Sequence, residues 1–465
     1  MKSKHLYWGI PVLGVLFCLW YINQATFDVI YSDYVRLVSS YLPDVWNPHK
    51  FFVADVLTRI PVNYIERIIN VGLFDFSITF DRVLGVLGLG LSALVLGAYS
   101  FRKNLGLIWY TILMILMFSL NKWEMLTNGS GWAHFLAFAC FYYHYQVLDR
   151  VWAGEEKRYD RVRLILLPVI ITVGVAGPYC AIYLVTVCLA YLFCMGYHYL
   201  KTRDVDKRYL IYTGSAVISV LLYMWSNSYA VEDHAGAVHE PLMTALMSMP
   251  AFFGRFFIKS FASMVLGGEV ALDMLEHRAF VTDSTLLLIG LVVIAAYLLA
   301  LWLNIRFRLY EDTILPLMLL AGGGLNHVLI LLSRWIFINE NYGMSSRYAL
   351  QFQVGILGIV LTVGLLWKQL GRKKKRLTQA AAICFLAMFL TGNLYTSHKE
   401  LQKAPYRKEN FERIADAAVN FESRTDDELR KLFEYRRNEE SSGAKIRAAL
   451  EILKENHYNV FSDAE

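Results

Sequence analysis

Residues 164–200 read LILLPVIITVGVAGPYCAIYLVTVCLAYLFCMGYHYL, a run without a single Asp, Glu, Lys or Arg. A membrane-crossing helix needs about 20 mostly apolar residues, so the run is too long for one crossing. Gly177-Pro178 stands in its middle, where a tight turn would divide it into two. That reading sets the fold class: apolar helices folded back and forth across a bilayer.

Composition agrees. The chain has 465 residues, 56% hydrophobic, 15% aromatic and only 18% charged, with a positive mean hydropathy; a soluble domain carries about 25% charged residues. It reads as an all-α polytopic membrane protein with eleven spans near 6–22, 83–100, 105–121, 132–148, 164–179, 181–199, 209–226, 284–304, 314–335, 348–367 and 377–395. No small-residue cleavage site follows Trp20-Tyr21, so the first span reads as retained rather than as a signal peptide. The stretch 251–268, AFFGRFFIKSFASMVLGG, carries Arg255 and Lys259 one turn apart and reads as an interfacial helix with its basic pair toward headgroups. The six cysteines fall in or beside apolar runs without paired ligand spacing, which reads as packing.

Orientation follows from the short loops. Lys2 and Lys4, Arg102 and Lys103, Arg150 to Arg163, Lys201 to Arg208, Arg306 and Arg308, and the block Lys368 to Arg376 share one side if eleven spans hold. By the positive-inside rule that side is the cytoplasm, the membrane is the cytoplasmic membrane, the N-terminus lies inside and the C-terminus outside. The basic residues are spread between spans, which excludes a nucleic-acid surface, and no glycine-rich phosphate loop is present. The long polar segments then fall outside: loops 23–82 and 227–283, short loops 122–131 and 336–347, and a tail. The division expected is a membrane domain over 1–396 and a small helical tail over 397–465. In that tail Thr425-Asp426-Asp427-Glu428 is a capping box, and Ile446, Leu450 and Leu453 form an apolar stripe. Such a short tail has little core of its own and is expected to dock on the outer face.

The first outer loop opens FDVIYSDYVRLVSSYLPDVW, residues 27–46. Read as a helix, it places Asp33 and Arg36 on one face while Val35, Val38, Leu42 and Trp46 cover the rest, a helix lying at the bilayer surface. Periodicity alone equally allows the two charges to pair in solvent. A second amphipathic piece carries Asp55, Arg59, Glu66 and Arg67. One amino-terminal span, a large acidic first outer loop on interfacial helices, many further spans and an outer tail together resemble the glycosyltransferase C superfamily of polyprenyl-phosphate-sugar-dependent membrane enzymes. The chain also looks like bacterial polysaccharide-associated membrane proteins, through Trp123-Glu124 in a short outer loop, Ser346-Arg347-Tyr348 before a late span, and a tail ending ALEILKENHYNVF.

The resemblance implies an inverting transfer of a sugar from a polyprenyl-phosphate donor to a cell-envelope glycan or related acceptor. An acidic residue of the first outer loop would be the base, with Asp33 the best match and Asp28 the second. Such transfer needs a base for the acceptor hydroxyl proton and fixed cations for the departing phosphate. Arg36, Arg347, Arg255 and Lys259 are the candidate phosphate holders, with the arginine fork favouring Arg347. Glu124, Trp123, Tyr348, Glu340 and Asn341 would line the substrates. Each has a plainer reading: Lys122 as a local partner for Glu124, Trp123 and Trp132 as belt aromatics, Arg347 as a snorkelling side chain. VEDHAGAVHE, residues 231–240, has loose spacing for Glu232, Asp233, His234, His239 and Glu240, so no metal site is assigned and a divalent cation stays open. Two other classes share the outer surface: a polymerase or ligase taking diphosphate-linked oligosaccharides, which would lean on more arginines, and a flippase or transporter. For the latter, Gly322 to Gly324 hint at a broken helix and Asn326-His327 at an interior pathway.

Overall fold

The computed structural model describes residues 4–52, 61–175, 177–227, 237–277, 281–370, 376–436 and 439–462. The expected residues Asp55, Arg59, Glu232, Asp233 and His234, and the basic positions 372–375, lie outside the described residues. Among the described residues the chain is helical throughout, with no strand. In chain order the helices are α1 (Lys4–Ala25), α2 (Tyr34–Tyr41), α3 (Val62–Phe74), α4 (Ile78–Arg102), α5 (Leu107–Met117), α6 (Trp123–Thr127), α7 (Trp132–Trp152), α8 (Asp160–Ile170), α9 (Cys180–Thr202) and α10 (Lys207–Asn227). They continue with α11 (Leu242–Ser248), α12 (Pro250–Ala262), α13 (Gly268–Glu276), α14 (Asp283–Arg306), α15 (Leu309–Asp312), α16 (Leu315–Arg334), α17 (Ala349–Leu370), α18 (Arg376–Val419), α19 (Asp426–Leu432) and α20 (Ser442–Glu455).

Seven of these, α1, α4, α9, α14, α16, α17 and α18, are long and apolar enough to cross a membrane. The other four expected spans fall on α5, α7, α8 and α10. The helices α5 and α8 have 11 residues each, and α8 runs on into a π-helical turn at Ile171–Val175. The helices α7 and α10 have 21 residues each, and α7 interrupts its apolar run with His144, Gln146, Asp149 and Arg150. The run 164–200 is divided at Gly177, whose φ of +88° is one that a side chain would strain, and α9 begins three residues later. At 13 residues α12 is too short to span, and it packs along α14.

Gly322 to Gly324 do not break α16, which runs unbroken through them. Gly323 meets the backbone of Gly355 on α17, so the glycines let two helices approach closely. His327 on α16 is stacked between Phe261 and Phe352, with ring centroids 3.6 and 3.8 Å away, and Asn326 Nδ2 donates to the Gly322 carbonyl. These polar groups are packed into the helix interior.

A second core lies apart from the membrane bundle. The apolar face of α2 (Val35, Leu37, Val38 and Tyr41) is buried with Ile446, Ala449, Leu450 and Leu453 of α20, Phe411, Ile414 and Ala418 of α18, and Phe461. The first-loop helix is thus covered by the tail, where its periodicity suggested a bilayer surface; an amphipathic stripe does not say which apolar surface will cover it. Ser32 N donates to the Phe433 carbonyl at 2.9 Å, and Asn459 donates to the carbonyls of Asp75 and Phe76. The capping box at Thr425 and Glu428 forms. The helix α18, with 44 residues, is about 66 Å long and carries the chain from the membrane bundle into this second core without a break at residue 396.

Candidate functional site

Where the second core meets the bundle, three short elements and the long α18 bring charged side chains together. The helix α6 supplies Trp123 and Glu124, the 3-10 turn Ser346–Tyr348 supplies Ser346 and Arg347, α13 supplies Glu269, and α18 supplies Glu400 and Arg407. The start of α13 can reach this point because residue 268 has no side chain: a Cβ there would overlap the Met344 carbonyl oxygen. Glu269 then accepts from both the amide and the hydroxyl of Ser346, each at 2.9 Å, and from Trp123 Nε1 at 3.4 Å.

Arg347 Nε donates to Glu124 Oε1 at 2.5 Å, and Ser346 Oγ donates to Glu124 Oε2 at 3.2 Å. The Glu124 side chain is only 14% exposed, whereas that of Arg347 is 48% exposed. A largely buried carboxylate therefore holds the guanidinium through Nε, while the Arg347 side chain stays about half exposed. Burial pushes the Glu124 carboxyl above the usual carboxylate range, against the opposing pull of Arg347, and the nearby Glu269 adds to the rise. Asp33 lies within the electrostatic reach of Arg347. It is the N-cap of α2, yet its side chain makes no cap hydrogen bond, so the carboxylate is not committed to the helix start. Tyr31, in the field of Glu124 and Arg347, donates from its hydroxyl to Glu434 at 2.7 Å. Glu124 and Arg347, far apart in the sequence, are thus in contact beside Trp123, with Asp33 within electrostatic reach of Arg347.

The wall beyond Trp123 comes from residues that the sequence reading did not single out. The guanidinium of Arg407 stacks on the Trp123 ring, 3.2 Å from its centroid, and pairs with the fully buried Glu400 at 2.6 Å. Glu269 lies in the outer loop 227–283 just past the stretch that reads as an interfacial helix, and Arg407 in the stretch that reads as tail. The signal available was their spacing: Glu400 and Arg407 are seven residues apart, two turns on one helix face.

Other expected site residues go elsewhere. Asp28 caps α4 from a distance, accepting from the amides of Ile78 at 2.7 Å and Thr79 at 3.2 Å and from Ser77 Oγ at 2.6 Å. Arg36 lies in the field of Tyr435 of the tail. Arg255 and Lys259 form a box with Asp283 and Glu340, with contacts of 2.5 to 2.9 Å, and Lys259 also donates to Asn341 Oδ1 at 3.1 Å. Two cations and two carboxylates balance there, and the two cations hold the Glu340 carboxyl below the usual carboxylate range against the opposing effect of its burial. Tyr348 is buried beside Tyr342 and Phe352. Among the described residues, no three His, Cys, Asp or Glu side chains are grouped to hold a metal ion.

Lys122 is not the partner of Glu124. Its ammonium turns back to cap the end of α5, donating to the carbonyls of Met117 and Ser119 at 2.9 Å each. Burial pulls its pKa from 10.5 down to about 8. Between those values the unfolded chain holds a proton that the folded chain has released, so stability rises with pH across that window. The difference in unfolding free energy between the native chain and Lys122→Met is expected to grow by on the order of 3 kcal/mol from pH 8 to 10.5. Unfolding in detergent at a series of pH values, followed by tryptophan fluorescence, checks this; a flat difference would place the amine in a wetter setting.

Comparison with protein-family models, with curated proteins and with solved structures found no match.

Proposed function

We propose that this chain is a membrane glycosyltransferase that moves a sugar from a polyprenyl-phosphate donor to a cell-envelope glycan or related acceptor. In this reading the long apolar helices cross the cytoplasmic membrane and the Asp33, Glu124 and Arg347 cluster faces the extracytoplasmic side, with the N-terminus inside and the C-terminus outside. The observation that supports it is the half-exposed Arg347 guanidinium, aligned through one edge by buried Glu124 and standing in reach of the Asp33 carboxylate.

The chemistry assigned to each group is simple. Asp33 takes the proton from the acceptor hydroxyl as its oxygen attacks the anomeric carbon from the face opposite the phosphate. The bond from that carbon to the phosphate oxygen breaks, its electron pair leaves with the phosphate, and the anomeric configuration inverts. Arg347 meets the growing phosphate charge with its terminal nitrogens, and Glu124 fixes the fork in place. Trp123, backed by Arg407, offers an apolar ring to a sugar face. A second reading, a ligase or polymerase using a lipid diphosphate, draws on Arg407 as another cation beside the same ring.

The test is transfer by the purified chain in proteoliposomes supplied with a panel of polyprenyl-phosphate hexoses and, separately, with polyprenyl-diphosphate oligosaccharides. Release of polyprenyl phosphate is the expected product; release of polyprenyl diphosphate alone would favour the second reading, and neither product would reject both. Arg347→Lys keeps the charge but loses the fork, and is expected to lower kcat/KM by about 100-fold. Recovery of most of the activity by lysine would show that charge alone suffices.

A further inference from the structure

Beside α13 lies a groove of about 300 Å³ between α13 and α18, lined by Val270, Asp273, Met274, His277, Tyr395, Lys399 and Lys403. We infer that this groove binds the phosphate headgroup of an anionic membrane lipid. The site is separate from the Asp33, Glu124 and Arg347 cluster and does not depend on the transfer reaction.

Charge and depth carry the argument. Lys399 and Lys403 are four residues apart on α18, so both face the groove, and each is partly buried. Among the described residues neither makes an ion pair, whereas Arg255, Lys259 and Arg407 all hold carboxylates. The one carboxylate in the lining, Asp273, has His277 against it: His277 Nδ1 is 2.8 Å from the Asp273 carbonyl oxygen and 3.5 Å from its carboxylate. Two lysines thus stand against one carboxylate in the lining, and Lys403 also lies in the field of Glu400 on the same helix. Lys399 Nζ also lies 5.7 Å from the Tyr395 ring centroid.

The groove sits at the right height. Tyr395 ends the apolar stretch of α18, and tyrosines favour the level where headgroups begin. Lys399 is one turn beyond it, about 6 Å farther along the axis. Below Tyr395, the same face of α18 continues through Thr391, Met388 and Cys384, of which Thr391 and Cys384 are exposed. These slender side chains leave a track for an acyl chain. Val270 and Met274 give the groove an apolar wall against which a glycerol backbone can lie. A free phosphate would use the lysines but leave the apolar wall and the track unused, which favours the lipid.

The test uses the full chain purified in zwitterionic detergent, with phosphatidylglycerol and phosphatidylcholine added in equal amounts and retained lipid read by native mass spectrometry. Preferential retention of phosphatidylglycerol is expected, falling roughly fivefold for each lysine neutralised and about 25-fold in Lys399→Gln/Lys403→Gln. Lys399→Arg/Lys403→Arg should retain the lipid, and Lys431→Gln, on α19 outside the groove, should match the native chain. Unchanged retention in the double glutamine variant would overturn the proposal, as would equal loss in the double arginine variant. Displacement of phosphatidylglycerol by millimolar inorganic phosphate would also overturn it, in favour of a free-phosphate site.

Discussion

Asp33→Asn is expected to lower sugar transfer from a polyprenyl-phosphate donor by about 10²–10⁴-fold, the usual loss when a positioned general base is removed. The change is nearly isosteric, and the Asp33 side chain makes no cap hydrogen bond at the start of α2. Donor binding should survive, because Arg347 keeps its contact with Glu124. The loss should therefore appear in kcat, with KM for the donor little changed. Turnover in proteoliposomes, with thermal unfolding of the same preparation as a control, decides the matter. If Asp33→Asn turns over at the native rate while Glu124→Gln does not, the base is Glu124, whose carboxyl burial has already raised.

Arg67→Met should be the most destabilising single change among the charged residues of the first loop, costing about 3–5 kcal/mol. The Arg67 side chain is fully buried, 2.7 Å from buried Asp81 and 3.2 Å from Glu66, with its guanidinium between the rings of Tyr34 and Phe76. Asp81 also accepts from Tyr34 Oη at 2.5 Å and from Asn70 Nδ2 at 2.9 Å. Removing the cation would strand two carboxylates without water. Burial already pushes the Glu66 carboxyl well above its ordinary range, and loss of Arg67, which opposes that rise, would push it further. Because Tyr34 follows Asp33 directly, the damage would reach the proposed base. Thermal unfolding in detergent checks the stability, and the triple variant Arg67→Met/Glu66→Gln/Asp81→Asn should recover part of it by removing the stranded charges. No recovery would mean that Arg67 matters for its packing against the rings rather than for its charge.

The site was partly legible in the sequence because its members stand out against apolar surroundings. Glu124 and Arg347 are charges at the mouths of apolar runs, where a charge without a partner is costly. What could not be read was which charges pair. Arg255 and Lys259 resemble Arg347 in sequence, but the fold brings two carboxylates, Asp283 and Glu340, onto them and Glu124 onto Arg347, and nothing in local spacing tells which carboxylate a cation will meet. Asp28 and Asp33, five residues apart in one acidic stretch, go to different places: Asp28 accepts from the α4 amides, and Asp33 lies in the field of Arg347.

Hydropathy and periodicity are sums over neighbours in the chain, and so the sequence by itself determined the helical class, the membrane embedding, the turn at Gly177 and the capped start of α19. Pairing across the fold is not such a sum. The Arg347 and Glu124 contact joins residues 223 positions apart, and the tail residue Asn459 reaches a carbonyl 383 positions back. Those contacts depend on which surfaces α2, α13 and α18 find to cover their apolar faces. Only the tertiary structure decided that α2 lies under the tail and that α18 delivers Arg407 to Trp123, because an amphipathic helix specifies that one face be buried and leaves its partner to the rest of the fold.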